Sequence, residues 1–355
     1  MRVLLVAEQL RRRVPGGIGT YVAGLARGLR GTAGGPDLSL WASRARREPD
    51  PLASLGPLVT SPLPGRLLVR AWDRGLLGCP AGYDVLHAAS LAVPPPRGTP
   101  TTVLVHDLAW RVVPDAYPPR GRRWHEGALR RALLRASVLA VPTAAAADEL
   151  VAAGAPGGLV RVLEDPYGCD HLPSPDDASV SELLTRLGVP TEYLLTVSTL
   201  EPRKNLPRLL AAYGSARPRL PEPWPLLVVG PSGWGKALRP EPGVHLVGPV
   251  DGAVLAALYR RARLVAYVPR HEGFGLPAVE AMHACAPVVA TPMPSTAGAA
   301  LEVDPADEAA IADALVRVAA EEGLRSRLVT AGLLRAGELT WDAAARRHLD
   351  LWASL

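Results

Sequence analysis

Short apolar runs alternate along this chain with longer stretches of helical periodicity, the pattern expected of parallel sheets covered by helices. In the first half, residues 3–7, 38–41, 85–88, 102–105, 138–141 and 160–163 are predicted as strands. Residues 127–136 set Arg130, Arg131 and Arg135 against leucines at helical spacing and are predicted as an amphipathic helix. The pattern lapses over 169–181, where the stretch from His171 to Asp177 reads as a linker. It then resumes, with strands predicted at 193–197, 226–229, 244–247, 264–268 and 287–290 and helices at 206–213, 252–261, 277–284 and 308–321. Residues 340–352 form a last amphipathic stretch. Two doubly wound α/β domains follow, 1–170 and 171–339, and 355 residues are enough for each to bury a core of its own. Facing each other across a cleft, they would take a ligand at the carboxyl ends of both sheets.

Apolar residues make up 48% of the chain and charged residues 21%, the balance of a globular protein. Only Lys204 and Lys236 are lysines among the 39 basic residues, a bias that reads as GC-rich coding rather than a surface for nucleic acid. It also makes a surviving lysine informative. Residues 1–170 hold 21 arginines against 14 acids, +7, whereas 171–355 hold 18 basic and 20 acidic residues, −2. A basic first half suits an anionic acceptor or a membrane surface, although solvated arginine-rich faces are the plainer explanation. Cys79, Cys169 and Cys285 are odd in number and far apart, which gives neither a disulfide framework nor a zinc spacing. The apolar start is too short for a signal segment, and no run approaches the roughly 20 residues of a membrane helix. The expectation is a cytoplasmic protein whose membrane contact, if any, is peripheral.

Candidate chemistry concentrates between His271 and Glu280. Glu272 and Glu280 stand eight positions apart, separated by the turn Gly273, Phe274, Gly275 and then by Leu276 and Pro277. Pro277 suits the first turn of a helix, so the segment reads as a loop entering a helix N-terminus whose free N–H groups and dipole favour an anion. One carboxylate lies in the loop and one in the helix, an arrangement suited to a phosphorylated, hydroxyl-rich molecule. A second cluster, Glu201, Pro202, Arg203, Lys204 and Asn205, follows a predicted strand and precedes a helix. Adjacent cations there make a clamp for a diphosphate, Arg203 as a planar fork and Lys204 as a point charge.

Three further features are less specific. Gly16, Gly17 and Gly19 follow the first strand after three arginines and allow close backbone approach, with a helix predicted from Thr20 or Tyr21. They lack the third glycine and the distant acid of a dinucleotide site. His106 and Asp107 end a strand of the first domain. Gly230 to Lys236 satisfies most of a phosphate-loop pattern, but Ala237 replaces the hydroxyl residue and Pro240 breaks the helix that should follow, so a surface loop is expected.

The two glutamates with the intervening Gly-Phe-Gly-Leu-Pro, preceded by Glu201 to Asn205, resemble the signature of the retaining glycosyltransferases of family 4. The resemblance runs from Gly16 to the Trp341 segment. It implies a GT-B architecture of two Rossmann-like domains, with the final helix, about 340–355, crossing back to the first. It implies a retaining hexosyl transfer from a nucleoside diphosphate sugar, GDP-mannose-like or UDP-hexose, to a saccharide, lipid-linked or natural-product acceptor. No metal and no cofactor beyond the donor are implied. Arg203 and Lys204 would hold the phosphates, Glu272 the sugar hydroxyls and Glu280 the ribose. The backbone of Gly273, Phe274, Gly275 and Leu276 would help, His106 would lie beside the donor sugar, and Gly16 and Gly17 near the phosphates. Two departures stand out: Cys285 occupies a place usually held by glycine, and the loop after Thr291 is shortened, with Ser295 and Thr296 as further phosphate candidates. A catalytically silent sugar-nucleotide-binding subunit and a nucleotide-sugar epimerase are the alternatives.

Overall fold

The computed structural model describes residues 1–45, 49–235, 237–239 and 241–355, which divide into two compact units. Residues 1–114, 118–168 and 340–355 form the first; residues 115–117 and 169–339 form the second. In the first unit a seven-stranded parallel sheet comprises β1 (Arg2–Val6), β2 (Asp37–Ser43), β3 (Leu58–Ser61), β4 (Val85–Ala88), β5 (Thr101–Leu104), β6 (Val138–Val141) and β7 (Val160–Val162), in the order β3-β2-β1-β4-β5-β6-β7. In the second, β8 (Leu194–Val197), β9 (Leu226–Val229), β10 (Val244–Gly248), β11 (Leu264–Tyr267), β12 (Val288–Ala290) and β13 (Leu301–Glu302) are ordered β10-β9-β8-β11-β12-β13. Both sheets repeat the 3-2-1-4-5-6 order of a doubly wound fold, and each therefore has a switch point: between β1 and β4, and between β8 and β11. Val3 pairs with Val85 across the first and Leu264 with Leu194 across the second.

Helical coverage explains why the strands are apolar at nearly every position: Val85–Ala88, Leu226–Val229 and Leu264–Tyr267 are buried throughout. The strand expectations hold to within a residue or two, but β3 and β13 were not anticipated. The linker expected from His171 to Asp177 gives way to a helix over Asp177–Leu187, which Asp176 caps by accepting from the Ser179 amide at 3.0 Å, so the lapse in the pattern up to residue 181 covers the first turn of a helix. The helix expected at 127–136 runs over Pro119–Arg135, its start set by a proline at the first position.

The last helix, Trp341–Ala353, belongs to the first unit and packs on the helix Gly16–Gly31. Its approach requires glycine: a Cβ at Gly24 would sit 2.0 Å from the Trp341 ring, and one at Gly28 2.2 Å from the Trp341 carbonyl oxygen. Beneath the contact runs a fully buried hydrogen-bond chain. His348 Nδ1 donates to the Ala344 carbonyl (2.7 Å), so its Nε2 accepts from the Tyr21 hydroxyl (2.6 Å). Tyr21 in turn accepts from His87 Nε2 (2.7 Å), and His87 Nδ1 accepts from Thr102 (2.7 Å), which accepts from Trp352 Nε1 (3.1 Å). Every hydrogen is used when both imidazoles are neutral, which fixes the two tautomers. Burial lowers both imidazoles, His87 well below its ordinary value and His348 to about 4.

Candidate active site

The second unit's switch point brings Arg203, Lys204 and Glu272 together at the carboxyl ends of β8 and β11. After β8 the chain makes a short turn, Pro202–Lys204, and Asn205 adopts a left-handed conformation (φ 60°) before the helix Leu206–Ala216. Asn205 Nδ2 donates to the carbonyls of Val268 (3.0 Å) and Pro305 (2.8 Å), and the Arg270 amide donates to the Arg203 carbonyl (2.9 Å). The loops after β8 and β11 are thus stitched together by backbone acceptors, and the two cations are fixed relative to Glu272.

Glu272 Oε2 is the hub. It accepts from Arg203 Nη1 (3.0 Å), Lys204 Nζ (2.5 Å) and the Tyr267 hydroxyl (2.6 Å). Burial works to raise this carboxyl, but the charges of Arg203 and Lys204 and the hydrogen bonds from Lys204 and Tyr267 outweigh it and hold Glu272 well below the carboxylate range. Lys204 is lowered by burial against the opposing pull of Glu272, and Glu201 is raised by burial against that of Arg203. Arg203 Nη2 also donates to Glu201 Oε1 at 3.1 Å. Two cations therefore face two carboxylates, and the cluster is neutral as it stands.

Beyond Glu272 the loop enters the helix Leu276–His283 through Gly275 at φ 102°. Only glycine fits there, since a Cβ would stand 2.2 Å from Met293 Sδ. The helix start carries no side-chain cap, Pro277 has no N–H and the Ala278 amide donates to the Gly275 carbonyl (3.1 Å), so what the turn presents is chiefly the positive end of the helix dipole. Glu280 lies inside that helix, buried, accepting from the Tyr259 hydroxyl (3.0 Å) at Oε2 and facing His171 Nε2 (3.2 Å) at Oε1. A carboxylate held at both oxygens by polar side chains has a fixed orientation, which is what hydroxyl recognition needs.

Two family models match this chain, the one described as Glycosyltransferase Family 4 over residues 15–166 and the one described as Glycosyl transferases group 1 over residues 191–321. The chain belongs to the group 1, family 4 glycosyltransferases. The glycosyltransferase is 26% identical over 264 residues to O-antigen chain mannosyltransferase B of Escherichia coli, covering 70% of this chain and 69% of that one. It is 28% identical to the D-inositol 3-phosphate glycosyltransferase of Xylanimonas cellulosilytica, over 95% of this chain and 91% of the relative. Among solved structures, Anabaena HepE in complex with UDP-glucose superposes with a TM-score of 0.73 at 18% identity over the whole of both chains, a GT-B likeness of fold.

The first unit of the glycosyltransferase holds the remaining predicted residues. The helix expected from Thr20 or Tyr21 begins at Gly16, so Gly16 and Gly17 form its first turn instead of a preceding loop; nothing but Pro15 precedes them as a cap. His106 donates from Nε2 to the Ala89 carbonyl (2.8 Å) and accepts at Nδ1 from Tyr167 (2.7 Å), so both nitrogens hold protein groups. Asp107 accepts from the Ala109 amide (2.9 Å), a local structural bond. Ser295 and Thr296 are fully buried, their hydroxyls donated to the carbonyls of Gly275 and Met293.

The Gly230–Gly235 turn packs back on the loop after β8, with Leu200 bridged to Ser232 and the Gly233 amide donating to the Leu200 carbonyl (3.2 Å). Lys236, the last residue of that pattern, and Pro240 lie outside the described residues. Cys285, where glycine was expected, takes up glycine's conformation (φ 63°) at the end of the helix Leu276–His283. Tyr267, Tyr259 and His171 were missed in the sequence. They hold Glu272 and Glu280 but sit in a strand, a distant helix and the apparent linker, with no local motif to mark them. No helix among the described residues is long and apolar enough to cross a membrane.

Proposed function

We propose that this glycosyltransferase moves a hexose from a nucleoside diphosphate sugar, GDP-mannose-like or UDP-hexose, to a saccharide, lipid-linked or small-molecule acceptor with retention of anomeric configuration. No metal or further cofactor takes part. The observation that carries the reading is the convergence of Arg203, Lys204 and Glu272 at the second sheet's switch point. The mannosyltransferase and inositol phosphate glycosyltransferase relatives, and the UDP-glucose held by HepE, support a sugar nucleotide as donor.

Breaking the bond from the anomeric carbon to the diphosphate leaves negative charge on the phosphate oxygens. Fixed cations and N–H dipoles stabilise that charge without reorganising. Arg203, Lys204 and the start of the helix Leu276–His283 supply them. The acceptor oxygen attacks the same face, and its proton passes to the departing phosphate oxygen, so no enzyme nucleophile is consumed. Glu272 spends Oε2 on its three donors; Oε1 receives none from the described residues and is left to accept a sugar hydroxyl. Glu280 accepts the ribose hydroxyls. The roles proposed for His106, Gly16 and Gly17 belong to the first unit and are tested by single substitution there.

Calorimetry with UDP, GDP, ADP and dTDP, on the wild type and on Glu280→Ala, tests the donor site. Micromolar binding of one diphosphate, weakened at least tenfold in the variant, is expected. Folded protein that binds none of the four overturns the proposal.

A further inference from the structure

Transfer changes the charge at the clamp. When the acceptor oxygen replaces the diphosphate at the anomeric carbon, the acceptor's proton goes to the departing phosphate oxygen. It is then lost to water near neutral pH, since a terminal phosphate has a second pKa of about 6. A sugar nucleotide with about two negative charges thus leaves behind a nucleoside diphosphate with about three. We propose that Glu272 exploits this difference: it distinguishes donor from product and drives the nucleoside diphosphate off the enzyme once the sugar has gone. This role rests on the donor reading above, where Glu272 is only a sugar contact.

The carboxylate is placed to oppose the added charge and is pinned there. Its Oε2 lies 3.0 Å from Arg203 Nη1 and 2.5 Å from Lys204 Nζ, the two cations assigned to the phosphates. Tyr267 closes a triangle, accepting from Lys204 (2.7 Å) and donating to Oε2 (2.6 Å), and its ring is buried at the end of β11. Arg203 Nη1 spends its other hydrogen on the His271 carbonyl (3.1 Å), and Nη2 donates to Glu201 (3.1 Å). Of Lys204's three N–H bonds, one has no acceptor among the described residues. Each cation is therefore already matched by a carboxylate before any phosphate arrives. Glu201 touches Arg203 alone, whereas Glu272 touches both cations.

A phosphate oxygen bonded to either cation lies two hydrogen bonds from Oε2, roughly 5 Å. The side chains of Lys204, Arg203 and Glu272 are 11%, 13% and 15% exposed, so water screens the repulsion weakly. The intact donor offsets it, because a sugar hydroxyl donates to Oε1 and the phosphates carry one charge fewer. After transfer the hydroxyl departs with the sugar and a charge appears, and both changes weaken binding. Only a fixed, ionised carboxylate at this position does both.

Calorimetry with UDP and UDP-glucose, and with GDP and GDP-mannose, is carried out on the full chain as wild type, Glu272→Gln and Glu272→Asp. Glutamine keeps the shape and removes the charge; aspartate keeps the charge. For the pair that the wild type binds, the free diphosphate is expected to bind about fivefold or more tighter to the glutamine variant and no tighter to the aspartate variant. The sugar nucleotide should gain less or lose affinity, so that the ratio of the two moves towards product. A general loosening of the clamp would instead weaken the diphosphate in both variants. Glu272→Ala, which also removes the charge, takes the place of the glutamine variant if circular dichroism shows that chain unfolded. Diphosphate binding no tighter in the uncharged variant than in wild type, or tightened equally by aspartate, overturns the role and leaves the donor site standing. A folded wild type that binds neither diphosphate overturns the donor reading and this role with it.

Discussion

Acidification should release the last helix, and the size of the effect can be worked from His348. This imidazole is fully buried, accepts from Tyr21 at 2.6 Å and has a folded value of about 4, against an ordinary value of 6.5. A base whose value is lowered on folding binds more protons when unfolded, so its stabilising contribution is whole above pH 6.5 and falls away as pH drops towards 4. Each pH unit of separation is worth ~1.4 kcal/mol, giving ~3 kcal/mol in all, of which ~2 kcal/mol is already lost at pH 5. His87, lowered in the same direction by burial and by its neighbours His348 and His106, adds to the loss. Urea midpoints followed by tryptophan emission at pH 7.5, 6 and 5 would measure it, because Trp341 and Trp352 both lie on that helix. The control is His348→Gln, which keeps an acceptor for Tyr21 but does not titrate. Carboxylates contribute equally to both proteins, so their difference isolates His348. Wild type and variant losing stability in parallel between pH 7.5 and 5 would refute the argument.

Cys285→Gly should stabilise the second unit by roughly 0.5–1 kcal/mol in chemical denaturation, since relief of the left-handed strain exceeds the entropy glycine adds to the unfolded chain. Arg203→Lys should lower kcat by about 100-fold or more without loss of folding by circular dichroism, because a single ammonium cannot reach Glu201, Glu272 and a phosphate together. Tyr267→Phe removes one donor from Glu272, so the acid limb of kcat against pH should move upward; an unmoved limb would separate Glu272 from the pH dependence. Gly24→Ala should cost about 3 kcal/mol and expose Trp341 to an aqueous quencher, as the new Cβ has no room beside that ring.

The sequence was most readable where one interaction dominates. Strands buried on both faces are apolar runs, and 85–88, 138–141 and 226–229 fall where expected. β3 escaped because Leu58 and Val59 are only half-buried and Thr60 is exposed, so no continuous run marks it. The helix Gly16–Gly31 was placed four or five residues late because Gly16, Gly17 and Gly19 read as a loop; further along the same helix, the small size of Gly24 and Gly28 serves the packing of Trp341. Arg203, Lys204, Glu272 and Glu280 stood in local motifs. Their orientation did not, since it depends on Tyr267, Tyr259 and His171, which only tertiary structure delivers.

The membership of residues 340–355 in the first unit has a consequence for how the protein is made. A ribosome completes residues 1–168 long before it reaches Trp341, and until then the groove floored by Gly24, Gly28 and Tyr21 has no lid. The usual order of synthesis, in which the earlier domain is finished first, is reversed here. The second unit, contiguous but for residues 115–117, can close first, while the nascent first unit waits with an apolar face and half of a histidine–tyrosine chain open to solvent and to chaperones. A truncation that stalls the chain near residue 339 would therefore yield a folded second unit tethered to a first that aggregates.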